Sequence, residues 1–300
     1  MLKLIFVSAA ACVLAACQAI SGSSFKEDPQ VHLAFSCTAL PAVPNASYVG
    51  AYAGIENVIS ASDAARDAHC SDAFKAAKYP RGFVTIFGSS RISKDNRACD
   101  ASGKCDETLR ENDQIYAAVR DFSVAWTTKY GRRLPVLTGA GPGLMEAGNE
   151  GAKLAGGPSI GYTTYYDRPD DPAKSTAERP YAGLATKALN NYVTDGLIFT
   201  SVVQREAAMM RHSAAMVIAP GGTGTEWEIY QVIEMLKSKQ LSAVPVYFLG
   251  DRTKYWRSLD DRLKDLVARR VVRAEEIAFI RFAATSTDLL DRLSKDLAMP

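Results

Sequence analysis

The chain reads as an α/β protein built on a central parallel sheet with helices around it. Three observations predict this: short apolar runs that end in glycine or serine, helical stretches between the runs, and repetition of that alternation through most of the chain. The first run, 82–88 (GFVTIFG), has no polar alternation and closes on Ser89-Ser90. Such a run suits a strand covered on both faces. Before it, residues 53–79 space Ile55, Val58, Ile59, Ala65, Ala68 and Phe74 as one or two amphipathic helices. After it, 91–108 is polar and reads as a loop, 112–129 as a helix and 134–138 as a second strand. Further strands are expected over 159–165, 216–219 and 244–249, with helices over 143–155, 202–213 and 225–238.

Composition excludes several functions. Hydrophobic residues at 47% and charged residues at 23% are values of a folded globular chain, not a disordered one. Thirty-five Lys and Arg against thirty-three Asp and Glu leave +2, so there is no broad basic surface for a nucleic-acid polymer. The three histidines, His32, His69 and His212, lack any paired spacing, and no metal site is expected.

The N-terminus carries an address. Lys3 precedes an apolar stretch, 4–14 (LIFVSAAACVL), whose helix would rise about 16 Å, too short to span a bilayer. It fits the apolar region of an export signal. Leu14-Ala15-Ala16-Cys17 resembles the lipobox of bacterial lipoproteins, which implies removal of 1–16, lipid on Cys17 and membrane contact through that anchor only. Gln18, where retained lipoproteins usually have Asp, points to the outer membrane, facing the periplasm. The expected layout is a signal over 1–16, a tether and N-terminal helical extension over 17–80, and an α/β nucleotide-binding domain over 81–300. Cys12 leaves with the signal, so Cys37, Cys70, Cys99 and Cys105 remain, and four cysteines permit three pairings. The polar DASGK between Cys99 and Cys105 is able to turn back on itself, which favours Cys99–Cys105 with Cys37–Cys70.

Two glycine-rich turns carry the chemistry. Thr138-Gly139-Ala140-Gly141-Pro142-Gly143-Leu144-Met145 joins the second strand to a helix, where glycines permit a tight turn and close backbone approach. Pro220-Gly221-Gly222-Thr223-Gly224-Thr225 follows the apolar 216–219 and opens another helix. Exposed N–H groups, a favourable helix dipole and no side-chain obstruction make this a phosphate cradle. No Lys follows the last glycine, so a monophosphate suits it better than a Walker-type triphosphate. Glu228 lies one turn into that helix, where it would serve either the site or merely the helix dipole.

These residues resemble the Lonely guy (LOG) family, often mislabelled lysine decarboxylases: strand-GSS, GxGPGLMEAxxxGA, Arg205 ahead of Met209, Asn190-x-Tyr192 and PGGTGTEWE. The resemblance implies a Rossmann-like homodimer that hydrolyses the N-glycosidic bond of an AMP-like nucleoside 5′-monophosphate, with no cofactor. It implies Arg205 and Glu228 as the catalytic pair, Gly221, Gly222, Gly224 and Thr225 as the phosphate loop, and Ser89, Gly141 and Met209 on the base and ribose side. A carboxylate near C1′ would stabilise developing oxocarbenium charge or activate water. Two residues depart from the pattern: Glu206 stands where many members have Lys, and Ala140 where many have Gly. The segment 167–179 reads as an added loop. A non-catalytic nucleotide-binding or sensing lipoprotein would use the same pocket. A nicotinamide dehydrogenase fits poorly, because the third glycine falls one residue early for GxGxxG. A pyridoxal-phosphate enzyme fits no better, since no lysine stands beside either loop.

Overall fold

The computed structural model describes residues 35–39, 43–50, 60–94, 106–164 and 189–299. The chain divides at Phe35/Ser36, and all elements below belong to the unit that starts at Ser36. Its sheet has eight strands: β1 (Tyr48–Val49), β2 (Phe83–Phe87), β3 (Val136–Thr138), β4 (Ser159–Thr164), β5 (Asp195–Phe199), β6 (Ser213–Ile218), β7 (Val246–Leu249) and β8 (Ile280–Ala283). Seven α-helices flank it among the described residues: α1 (Ala61–Lys78), α2 (Glu107–Tyr130), α3 (Leu144–Leu154), α4 (Val202–His212), α5 (Thr223–Lys237), α6 (Arg257–Ala268) and α7 (Ser286–Asp296). The spatial order is β1-β5-β4-β3-β2-β6-β7-β8, and every pairing is parallel. The fold is Rossmann-like α/β.

Parallel strands covered on both faces need apolar residues on both, and all five residues of β2 are buried. Against the sheet packs α2, whose Ile115, Val119, Phe122 and Trp126 recur at helical spacing and are buried with Val84, Ile86, Val136 and Val217. This helix starts before the expected residue 112 because Asp106 caps it, accepting a bond from the Leu109 N–H.

Several elements go beyond the sequence reading. β5 contains Gly196, where a Cβ would lie 2.0 Å from the Gly161 carbonyl oxygen, so the strand gives up a side chain for close approach to β4. β8 is an edge strand with Arg281 on an open face, and α7 buries Leu289, Leu290 and Leu293 behind a Thr285 cap. β1 pairs with β5 inside the stretch read as tether. A disulfide joins Cys37 to Cys70 on α1, while Cys99 and Cys105 lie outside the described residues, as do Cys17, the signal and 167–179.

The topology also places a crevice. From β2 the chain steps outward through β3, β4 and β5, then returns to the other side of β2 as β6 and steps outward again through β7 and β8. The order therefore reverses between β2 and β6, and open α/β sheets bind ligands outside the carboxyl ends of strands at such a switch point. The loops leaving β2 and β6 meet there, the Ser89 N–H donating to the Pro220 carbonyl at 3.2 Å.

Candidate active site

The loop after β6 becomes the start of α5. Gly222 is its N-cap and the first helical bond runs from the Glu226 N–H to the Gly222 carbonyl at 2.9 Å. Helical geometry leaves the N–H groups of 223–225 without intrahelical partners, and the dipole makes that end attractive to an anion. Gly221, Gly222 and Gly224 are exposed, whereas Thr225 and Glu228 behind them are buried. The glycines are not equivalent. A Cβ on Gly221 would strike the Thr225 hydroxyl oxygen at 2.1 Å, but at Gly222 and Gly224 it would meet no described heavy atom within 4 Å.

The loop after β3 is bound more tightly to the protein. Gly143 has φ +71°, and a Cβ there would lie 2.4 Å from the Ser89 carbonyl oxygen. That same carbonyl accepts the Leu144 N–H at 2.9 Å, so Ser89 ties both glycine loops to the end of β2. At Gly139 and Gly141 a Cβ would press on the Met145 side chain. Ala140, read as a mild departure from glycine, sits at φ +60° and is 1% exposed against Leu189 and Val193. The left-handed region disfavours residues with a Cβ by about 1–2 kcal/mol, so this alanine is held there by its surroundings.

Arg205 spans the distance between the loops. One face of its guanidinium approaches Gly139, where a Cβ would be 3.3 Å from Nη1. Its Nη2 lies 2.8 Å from Glu206 Oε1 and 3.6 Å from Glu228 Oε1. Arg205, Glu206 and Glu228 are only 5%, 4% and 9% exposed, so two carboxyl groups share one cation away from bulk water. Burial pushes both carboxyls up; Glu228 reaches about 8, with Arg205 opposing the rise and Glu206 adding to it. For Glu206, Arg205 pulls back down, and the Trp227 indole, whose N–H bonds Gln231 at 3.1 Å, adds a weaker pull. For Glu228, burial and the neighbouring Glu206 thus favour the neutral form against the pull of Arg205. The Glu206 side chain turns toward the arginine, not away from it.

Two buried polar hubs that sequence reasoning missed position these groups. Asp67 of α1, 0% exposed, accepts the Thr200 N–H at 2.7 Å, the Thr200 hydroxyl at 2.6 Å and the Tyr48 hydroxyl at 2.8 Å. Thr200 precedes Ser201, the cap of the helix that carries Arg205. Asn149 accepts from the Thr138 hydroxyl at 2.6 Å and from the Asn190 amide at 2.9 Å, and that amide also reaches the Gly141 carbonyl at 3.1 Å. Met209, one turn beyond Arg205, is 1% exposed, so its side chain is packed inside and not presented to solvent. The structure brings Arg205, Glu228, Thr225 and the two glycine loops together.

Among the described residues no cluster of His, Cys, Asp or Glu could hold a metal ion. A pyridoxal-phosphate enzyme needs a lysine amine beside its phosphate site. Lys94 and Lys153 are engaged by Glu150 and Tyr192 and by the Asn191 carbonyl, and the buried Arg205–Glu206–Glu228 group contains no lysine. These residues do not fit that cofactor.

A family model described as possible lysine decarboxylase matches residues 145–293, about half the chain. The pyrimidine/purine nucleotide 5′-monophosphate nucleosidase of Escherichia coli is 27% identical over 158 residues, 51% of this chain. The match spans only 32% of that relative's length. Among solved structures, the molybdenum cofactor carrier protein of Chlamydomonas reinhardtii aligns over 72% of this chain and 98% of its own, at 17% identity and TM-score 0.44. The molybdenum cofactor binding protein of Rippkaea orientalis aligns over 71% and 96%, at 14% identity and TM-score 0.41.

Proposed function

We infer that this chain, which belongs to the Lonely guy family whose model carries the description possible lysine decarboxylase, hydrolyses the N-glycosidic bond of a nucleoside 5′-monophosphate. The products are the free base and ribose 5-phosphate. The observation that carries this reading is the buried Arg205–Glu228 pair, 3.6 Å apart, behind an exposed glycine loop at a helix N-terminus. The loop binds the phosphate through backbone N–H groups. Phosphate binding supplies remote energy that holds the sugar against the catalytic pair. Glu228 serves proton transfer at the glycosidic bond, and Arg205 fixes the carboxyl and meets negative charge. The partial match to a nucleotide 5′-monophosphate nucleosidase supports the same substrate class. AMP is the first candidate.

The test is release of free base from AMP, GMP and CMP by the purified protein, followed by chromatography. Turnover of at least one monophosphate is expected. Binding of all three without turnover would establish the second reading, a nucleotide sensor. That reading draws on one observation, the 2.8 Å contact by which Glu206 occupies Arg205.

The reading extends to assembly and address. A homodimer is supported by Val202, Val203, Trp227 and Tyr230, apolar groups left exposed on α4 and α5; sedimentation should give twice the chain mass. Export and lipid anchoring at Cys17 are supported by the Cys37–Cys70 disulfide, which suits an oxidising compartment. Metabolic lipid labelling should disappear in Cys17→Ala.

A further inference from the structure

Glu206 is the residue of this group that the proposed reaction does not use. It follows Arg205 directly in sequence, yet both side chains meet at 2.8 Å and both are almost fully buried. Adjacent residues on a helix do not normally face each other. A carboxyl placed there by chance would turn to solvent, where ionisation is cheap. Instead it takes the shorter of the two contacts to Nη2, and Glu228 is left with the longer one at 3.6 Å. Among the described residues, two ionised carboxylates beside one buried cation would carry a net negative charge in a poorly solvated space, which favours one of them keeping its proton. Contact length decides which: the closer carboxyl has the cation's stabilisation.

We propose that Glu206 is a positioning residue that holds Arg205 by one edge and, by taking its charge, makes Glu228 the carboxyl that delivers a proton to the departing base. The proton-delivery step rests on the nucleosidase reading; the charge arrangement does not. As the C1′–N bond breaks, its electron pair goes to the base nitrogen system, which takes the Glu228 proton. The oxygen of water bonds to C1′, and its surplus proton returns to the Glu228 carboxylate. One water is consumed and nothing is oxidised or reduced. Glu206 touches neither reacting atom and acts through the other two side chains.

The charged groups acting on Glu228 among the described residues are Arg205 and Glu206, both from α4. Residues 139–143 and 220–225 of the two glycine loops bring no titratable side chain. Burial and Glu206 raise Glu228 to about 8, in agreement with the proposal. Removing the Glu206 charge takes away the group that raises Glu228 and leaves Arg205 opposing the rise, which lowers that value.

The experiment titrates the ligand-free protein by ¹³C NMR with labelled glutamate side chains, the Glu228 signal being identified by its loss in Glu228→Gln. The wild type should titrate near the value of about 8. Glu206→Gln should lower the midpoint by at least about one unit, a tenfold change in acid constant. Glu206→Asp should largely restore it. In kinetics, the fall of kcat with rising pH should move to lower pH in Glu206→Gln by the same amount. A merely structural Glu206 would change melting temperature and leave both midpoints where they were. A wild-type Glu228 in the ordinary carboxylate range, or one that Glu206→Gln leaves unmoved, overturns the proposal, and the first of these results does so even if the Glu206 variants do not fold. Base release with an unmoved Glu228 would refute this arrangement alone. A moved Glu228 without base release would refute the nucleosidase reading and leave the charge arrangement standing.

Discussion

The two glycine loops look alike in sequence but obey different physical requirements. In the first, the protein itself fills the space: Met145 covers Gly139 and Gly141, and Gly143 combines φ +71° with the Ser89 carbonyl 2.4 Å from a notional Cβ. In the second, only Gly221 is closed off, by Thr225, while Gly222 and Gly224 point where no described atom stands within 4 Å. The fold demands the first set of glycines. It does not demand Gly222 or Gly224, and a residue type that packing does not require is where a ligand's requirement shows. The first loop is scaffold for the second.

The sharpest way to break this contrast is alanine at one glycine of each loop. Gly143→Ala should cost roughly 2–5 kcal/mol, from the left-handed backbone together with overpacking against Ser89, read as a large fall in the denaturation midpoint. Gly222→Ala should stay within about 1 kcal/mol of wild type, yet raise KM for a monophosphate at least about tenfold by crowding the phosphate position. Equal stability losses in the two variants would erase the distinction.

Next in size is Glu228→Gln, which keeps the shape and removes the acid. Turnover should fall at least about tenfold with little change in phosphate binding, on the scale of general acid–base effects. Stability should move the other way with pH. A buried carboxyl raised to about 8 in the folded protein favours folding fully below its unfolded value, and that contribution is lost as pH rises through about 8. Between pH 6 and 9 the wild type should therefore lose at least about 1.4 kcal/mol relative to Glu228→Gln, the worth of one unit. Parallel melting curves for the two proteins across that range would show Glu228 ionised throughout.

Ala140→Gly is the smallest change. Relief of a left-handed alanine, about 1–2 kcal/mol, opposes loss of a buried methyl worth about 0.8 kcal/mol. The net should be stabilising and below about 1.5 kcal/mol by chemical denaturation; a clear destabilisation would mean the methyl's packing against Leu189 and Val193 dominates.

What was legible in the sequence follows from these same contrasts. Buried parallel strands such as β2, β3 and β6 announce themselves as mostly apolar runs closed by glycine or Pro-Gly, and the two glycine loops stand where β3 and β6 stop. β5 is weaker because Gly196 trades hydrophobic signal for backbone approach to Gly161. β8 is weaker because an edge strand keeps Arg281 toward water. At the candidate site, the glycine loops and Glu228 stand out by motif and spacing, whereas Arg205 is picked out through the family resemblance. Asp67 was not, because its partner Thr200 is 133 residues away. The Glu206 contact was hidden for the opposite reason, since neighbours on a helix are expected to diverge. Local pattern finds the parts that face a ligand; long-range polar contacts that hold them in place leave little trace in it.

The central claim is that the second loop receives the phosphate and that Arg205 and Glu228 stand at the sugar. A crystal structure of Glu228→Gln with AMP tests it most directly. The phosphate should lie on the backbone N–H groups of 222–225, with C1′ within reach of residue 228 and the base toward Gly141. Phosphate seated on the first loop, or a sugar remote from residue 228, would contradict it.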